Sequence, residues 1–188
     1  WTIRDALKDT EAAYGEGNGA EVLRFFLLRS HYRSPISFSS GLIEEAHKAL
    51  KRLYTALEGR TGDGEALDWT EPFAARFKAA MDDDFNTALA VSVLFELAGE
   101  INRTGSSALV RQLLGLGRIL NILGREPAAF LRGAVKADDE ERIASLVAER
   151  TAAKKARDFA KADKIRADLL AEGIELLDGP QGTTWRRL

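Results

Sequence analysis

The sequence predicts a mainly α chain, a helical bundle followed by a small α/β domain of two helices and a C-terminal β-hairpin or small antiparallel sheet. Three observations predict it. Apolar residues recur at 3,4 spacing through most of the 188 residues, the mark of helices that bury one stripe. Around residue 130 that pattern is interrupted by Gly124, Pro127, Gly133 and the acidic run Asp138-Asp139-Glu140-Glu141, which have little to bury. After residue 173 the period shortens, and two runs, 174–177 and 183–187, flank Asp178-Gly179-Pro180-Gln181-Gly182, a hairpin with a four- or five-residue turn.

Taken in order, the chain starts at Trp1 rather than Met, and the amphipathic TIRDALKD that opens it lacks the basic head and apolar core of a signal peptide. We read this as a cut inside a longer protein. Residues 20–33 set Val22, Leu23, Phe26 and Leu27 on one stripe after the glycine-rich positions 15–19, a buried helix that Ser34-Pro35 ends. Ser39 or Ser40 caps a second helix with Leu42, Ile43, Ala46, Leu50, Leu53, Tyr54 and Leu57, which stops near Gly59. Residues 59–68 are polar and rich in glycine, hence an exposed loop. Thr70 is the expected N-cap of a third helix, with Pro72 in its first turn and Phe73, Phe77 and Ala80 on its face. A fourth, over 87–103, is expected to bury Leu89, Val93, Leu94, Leu97 and Ile101, and a fifth follows Gly105 with Leu109, Leu113, Leu116, Leu120 and Leu123. Helix then resumes from residue 143 to about 172, broken near Asp158, whose short side chain caps the second piece. The expected divisions are 1–40, the entry and first bundle helix; 41–130, the bundle; 131–141, a linker; and 142–188, the α/β domain.

Composition narrows the chemistry. The chain has no cysteine, which removes disulfides, thiolate nucleophiles and thiolate metal sites, and it fits a cytoplasmic location. No apolar run approaches the roughly 18 to 20 residues needed to span a bilayer. His31 and His47 have no ligand-spaced partners. The acids of Met81-Asp82-Asp83-Asp84-Phe85-Asn86 lack the alternating ligands and glycine of a calcium loop and read as helix-start residues. No phosphate-cradling glycine loop follows a strand, and no serine or cysteine nucleophile signature is present.

The net charge of −2 conceals an asymmetry: residues 142–188 hold ten Lys/Arg against seven Asp/Glu, a local excess of +3. Arg150, Lys154, Arg157, Lys161 and Lys164 are spaced 4,3,4,3, so a continuous helix would present five cations in a row. A solvated charged face is the plain explanation of such a row. Like charges at i,i+4 repel, however, and Trp185-Arg186-Arg187 adds an aromatic and two cations. Phe159, Asp163, Arg166, Gln181 and Trp185 are the residue types that stack on unpaired bases or hydrogen-bond their edges. The residues alone leave nucleic-acid binding and a helical protein-interaction module with a basic tail both open.

Several separated blocks resemble the cysteinyl-tRNA synthetase family. WTIRD at 1–5 is similar to the segment after that family's KMSKS loop, and LRFFLLRSHYRSPISFS at 23–39 to the block leading into its bundle. MDDDFNT at 81–87 and Glu100-Ile101-Asn102 resemble the bundle's signature, while KARDFAKADKIRADL at 155–169 and DGPQGTTWRR at 178–187 resemble its anticodon-binding end. The resemblance implies a class I synthetase that ligates cysteine to tRNA(Cys) with ATP. Its nucleotide-binding domain, with HIGH and KMSKS motifs and a zinc that reads cysteine, would precede Trp1, so this fragment would hold no cofactor and would be inactive alone. The partners implied are tRNA(Cys) and the catalytic domain of the same polypeptide. The class I anticodon-binding type of bundle follows, and Lys154, Phe159, Asp163, Arg166 and Asp178 match positions that approach anticodon bases, with Gln181, Thr183, Trp185, Arg186 and Arg187 beside them. The family often has tryptophan at the Phe159 position. Lys154 stands where arginine is usual in some members, and lysine cannot form a bidentate fork. The 15–19 loop is longer than usual. An intact relative that ligates cysteine to a small molecule would need its nucleotide-binding domain and not the DGPQGTTWRR end.

Overall fold

The computed structural model describes residues 2–62, 67–133, 137–179 and 182–187. The chain divides into two compact units, Trp1–Phe130 and Leu131–Leu188, taken here separately.

The first unit is all helix. Helix α1 (Ile3–Tyr14) is started by a capping box in which Thr2 accepts from the Asp5 amide and Asp5 accepts from the Thr2 amide. It buries only Ala6 and Thr10, so its apolar stripe is too sparse for periodicity to reveal. Helix α2 (Asn18–Leu28) begins inside the glycine-rich segment and ends well before Ser34-Pro35. Phe25 is fully buried and Leu27 is exposed, the reverse of the expected stripe, because the unbroken run Phe25-Phe26-Leu27-Leu28 gives no period to fix the helix rotation. Gly19 lets α1 and α2 close together: a Cβ there would lie 2.3 Å from the backbone of Thr10 and Glu11.

Helix α3 (Ser40–Leu57) is capped by Ser39, whose hydroxyl accepts from the Leu42 amide, and buries Ile43, Ala46, Leu50, Leu53, Tyr54 and Leu57; the expected Leu42 stays exposed. Helix α4 (Pro72–Asp82) takes Glu71 as its N-cap residue rather than Thr70. Thr70 is occupied one turn earlier, its amide and hydroxyl both donating to Asp68 (2.8 and 2.7 Å), and Pro72 sits at N1 where no amide is missed. Helix α5 (Thr87–Thr104) is capped by Asn86 and packs on α3, α4 and α6. It buries Ala90 in place of the exposed Leu89. Helix α6 (Ser107–Ile119) ends before Leu120 and Leu123, which remain buried in the turn that follows and not on the helical stripe. Helix α7 (Pro127–Arg132) runs across the boundary between the units.

A polar network closes this core. The Glu21 carboxylate is buried and accepts from the Tyr54 hydroxyl (2.9 Å) and the Leu123 amide (2.7 Å), with Arg125 Nε at 3.7 Å. Tyr54 stacks on Phe130 with ring centroids 3.9 Å apart, and Asn18 Nδ2 donates to the Phe130 carbonyl at 3.3 Å. Burial pushes Glu21 above the usual carboxylate range, opposed by the Leu123 and Tyr54 hydrogen bonds and by Arg125. Burial and the Glu21 charge push the Tyr54 phenol well up. The acids of 82–84 do not start a helix as expected: Asp82 is the last residue of α4 and pairs with Lys78 at 2.5 Å, and Asn86 caps α5. Asp84, left-handed at φ 51°, accepts from the Tyr32 hydroxyl at 2.8 Å and pairs with Arg33 at 3.3 Å.

His47 stacks on Tyr14 with centroids 4.1 Å apart, and burial, aided by Lys51, pushes its imidazole from 6.5 down to about 4. A depressed histidine stabilises the fold above its unfolded value and loses that contribution as the pH falls from 6.5 towards 4. The loss should reach about 2 kcal/mol after discounting for partial exposure. Urea unfolding of the wild-type chain and of His47→Gln at pH 7 and pH 4.5 measures it, and an equal acid loss in both proteins would rule it out.

The second unit holds α8 (Ala137–Lys155), α9 (Phe159–Ala171) and a two-stranded antiparallel sheet, β1 (Ile174–Gly179) and β2 (Gly182–Arg187). Helix α8 starts within the segment read as linker, its first turn carrying the acids that favour a helix N-terminus. The register pairs Leu176 with Trp185, Asp178 with Thr183 and Gly179 with Gly182. The strands therefore run closer to the turn than expected and only positions 180–181 connect them. One small core, Ile143, Ile165, Leu169, Ile174 and Leu176, joins α8, α9 and β1, with Leu146, Val147 and Trp185 packed around it.

Candidate nucleic-acid interface

The break between α8 and α9 shapes the second unit's surface. Arg157 adopts a left-handed conformation (φ 63°), the Asp158 amide donates back to the Ala153 carbonyl, and the Asp158 side chain accepts from the Lys161 amide at 3.1 Å. The five cations of the 4,3,4,3 row thus lie on two helices and do not form a continuous stripe. Four of the five are paired with acids of the unit: Arg150 and Lys154 share Asp178, Lys161 meets Glu149 at 2.7 Å, and Lys164 meets Asp168 at 2.7 Å. Among the described residues, Lys155, Arg157 and Arg166 have no acid partner.

Helix α9 turns Ala162, Ile165 and Leu169 into the core, which leaves Phe159, Asp163 and Arg166, at i, i+4 and i+7, on its exposed side. Phe159 is 60% exposed, an aromatic held out to solvent in the first turn of a helix. Asp178 sits on β1 beneath the end of α8 and accepts from Arg150 through both terminal nitrogens (2.8 and 2.9 Å), from Lys154 Nζ (2.8 Å) and from the Thr183 hydroxyl (2.7 Å). These donors hold its carboxyl far below the usual carboxylate range, with Arg150 the largest cause. Asp163 lies close enough for its charge to act on Arg150.

The remaining candidate residues divide by strand face. Thr183, Trp185 and Arg187 pair with Asp178, Leu176 and Ile174, which puts all three on the helix-facing side of the hairpin. Trp185 is half-buried against the core, so part of its ring is committed to packing. Arg187 reaches Asp139 at 3.7 Å. Arg186 lies on the opposite face, bound to Glu175 at 2.7 Å. Gln181 falls outside the described residues. Sequence reasoning did not single out Arg150 as more than a member of the cation row, yet it is 3% exposed.

No group of three or more His, Cys, Asp or Glu able to hold a metal ion occurs among the described residues, and the sequence contains no cysteine. Among the described residues, no helix is long and apolar enough to cross a membrane.

A DALR domain matches residues 76–125, spanning α5, α6 and the end of α4. The DALR match lies within the helical first unit, and the two-helix and hairpin unit follows it as a separate unit. The whole chain is 52% identical over 191 residues to Cysteine--tRNA ligase of Aromatoleum aromaticum, 53% over 190 residues to that of Cupriavidus pinatubonensis, and 54% over 190 residues to that of Cupriavidus taiwanensis. Each match takes in 100% of this chain but only 39 to 40% of the relative, so the chain spans about two fifths of their length. Over its whole length the chain is similar to the C-terminal part of these cysteine--tRNA ligases. The DALR match covers none of the candidate residues, which all lie beyond residue 150.

Proposed function

We propose that this chain binds tRNA(Cys) for a cysteine--tRNA ligase, with the second unit reading the anticodon and the first bracing the body of the tRNA. The observation that carries the reading is the exposed row Phe159, Asp163 and Arg166 beside the Asp178 cluster. It offers a ring for stacking, a fixed acceptor and a cation without an internal partner, the three elements by which unpaired bases are read. Lys154, Thr183, Trp185 and Arg187 belong to the same proposed interface, Arg186 adds a cation from the other face of the hairpin, the resemblance adds Gln181, and Trp185 contributes a ring partly packed on the core.

In the parent enzyme, cysteine is ligated to tRNA(Cys) at the expense of ATP in the cytoplasm, and the zinc and nucleotide sites lie on the rest of the polypeptide. This chain supplies recognition. Gripping the anticodon fixes the far end of the tRNA, so that the acceptor end reaches an active site on the other part already oriented.

Titration of the 188-residue chain with tRNA(Cys), and with a tRNA of altered anticodon, at two salt concentrations tests this. Binding to tRNA(Cys) should be the tighter and should weaken log-linearly with salt, as phosphate contacts require. Phe159→Ala and Arg166→Ala should each weaken an anticodon stem-loop by about 1 to 3 kcal/mol. Equal affinity for both tRNAs, or salt-insensitive capture of a protein partner, would count against the proposal.

A further inference from the structure

Every acceptor position on the Asp178 carboxylate is in use. An ionised carboxylate takes about four hydrogen bonds. Here Oδ1 accepts from Arg150 Nη1 (2.8 Å) and Thr183 Oγ1 (2.7 Å), while Oδ2 accepts from Arg150 Nη2 (2.9 Å) and Lys154 Nζ (2.8 Å). An N–H on a base edge can reach this carboxylate only if one of the three side chains withdraws.

The three are not equally free to do so. Arg150 is 3% exposed and docks through a planar two-pronged fork. Its Nε is buried without a hydrogen-bond partner, so losing Asp178 would strand a buried cation beside the ammonium of Lys154. Thr183 is half-buried in the sheet, and its hydroxyl also meets Arg150 Nη1 at 3.4 Å. Lys154 is exposed, ends α8 and makes one point contact from a flexible stem. Moving it breaks one bond and delivers an ammonium to incoming phosphate.

We propose that Arg150 is the positioning residue of this site, fixing the Asp178 carboxylate from below, and that Lys154 is the exchangeable donor that gives up its place on Oδ2 to a single N–H of an RNA base. Arg150 itself touches no RNA. With Arg150 and Thr183 in place, the carboxylate has room for one incoming donor, so it selects a base edge presenting one N–H in that direction over one presenting two side by side. The proposal rests on the anticodon-reading assignment above.

The test measures binding of a tRNA(Cys) anticodon stem-loop to the full 188-residue chain as wild type, Asp178→Asn, Arg150→Lys and the double variant, with circular dichroism as the check on folding. Asp178→Asn and Arg150→Lys should each weaken binding on the order of tenfold, the size of one hydrogen bond to a charged group. The Arg150→Lys loss should vanish in the Asp178→Asn background, which a purely structural role would not produce. In the wild type, the nitrogen-15 signal of the Lys154 ammonium should lose its hydrogen-bonded signature when RNA saturates the chain. Should Arg150→Lys fail to fold, Thr183→Val removes one orienting donor at the surface of the cluster and should weaken binding severalfold. Folded Arg150→Lys or Thr183→Val that binds as wild type, while Asp178→Asn is weakened, overturns this inference alone, as does an unchanged Lys154 signal at saturation. Unchanged affinity in Asp178→Asn overturns it together with the assignment of Asp178 to the RNA site.

Discussion

Leu169→Ala is expected to unfold the second unit while the melting transition of the first stays where it is in the wild-type chain. Leu169 is fully buried in a core of five residues that joins α8, α9 and β1. Removing a buried leucine down to its Cβ costs about 2 to 5 kcal/mol, through lost transfer energy and the cavity left behind. A unit of 58 residues with one small core has roughly 3 to 5 kcal/mol to lose in total. The substitution consumes most of it. Because Trp185 packs on that core, its fluorescence in a Trp1→Phe, Trp69→Phe background reports the loss of the second unit, while the helical signal follows mainly the first. Thermal melts followed by both probes decide the matter, and coincident shifts in the two signals would show that the units do not unfold independently. Binding of an anticodon stem-loop should disappear with the second unit's transition, since Phe159, Asp163 and Arg166 are aligned only by a folded α9.

Glu21→Ala is expected to cost the first unit about 3 kcal/mol. The change removes the acceptor of the Tyr54 hydroxyl and of the Leu123 amide and leaves Arg125 without its acid. Buried donors without partners each cost about 1 to 3 kcal/mol. The charge on Glu21 returns some of this, because burial disfavours the ionised form. Tyr54→Phe should be milder, as Glu21 then keeps the Leu123 amide and Arg125. The pH dependence has a definite sign. Glu21 titrates above its unfolded value of 4.5, so between those two points the native chain holds more protons, and the wild type gains stability as the pH falls through the folded value. The gap between wild type and Glu21→Ala should therefore widen on mild acidification. His47 pulls in the opposite direction but is common to both proteins and cancels in the difference. Urea titrations at pH 7.5 and 5.5 measure the gap, and a gap that narrows would contradict the assignment.

The helices were legible from sequence wherever polar residues punctuate the apolar ones, as in α3, where Ile43, Ala46, Leu50 and Leu53 were read correctly. Rotation failed where they do not. In α2 the apolar run left Phe25 and Leu27 interchangeable, and tertiary packing chose between them. The helix α1 was missed because two buried residues make no stripe, although the Thr2 and Asp5 capping pair was there to be read. In the second unit, Phe159, Asp163 and Arg166 were picked out by residue type and by the resemblance, and the helix that starts after Asp158 leaves all three exposed. The burial of Arg150 did not. It pairs with an acid 28 positions away, and composition cannot say which cation a distant strand will claim.

The pairing of Arg150, Lys154, Lys161 and Lys164 with acids of their own unit bears on how the chain meets wrong RNAs. An open row of cations would let any strand linger, because backbone attraction ignores sequence. Here that indiscriminate hold is largely spent internally, and a strand whose bases do not match finds little reason to stay. If the second unit reads the anticodon as proposed, rejection is quick, and the residence time on a given tRNA is set by how well three unpaired bases fit rather than by how many phosphates pass nearby.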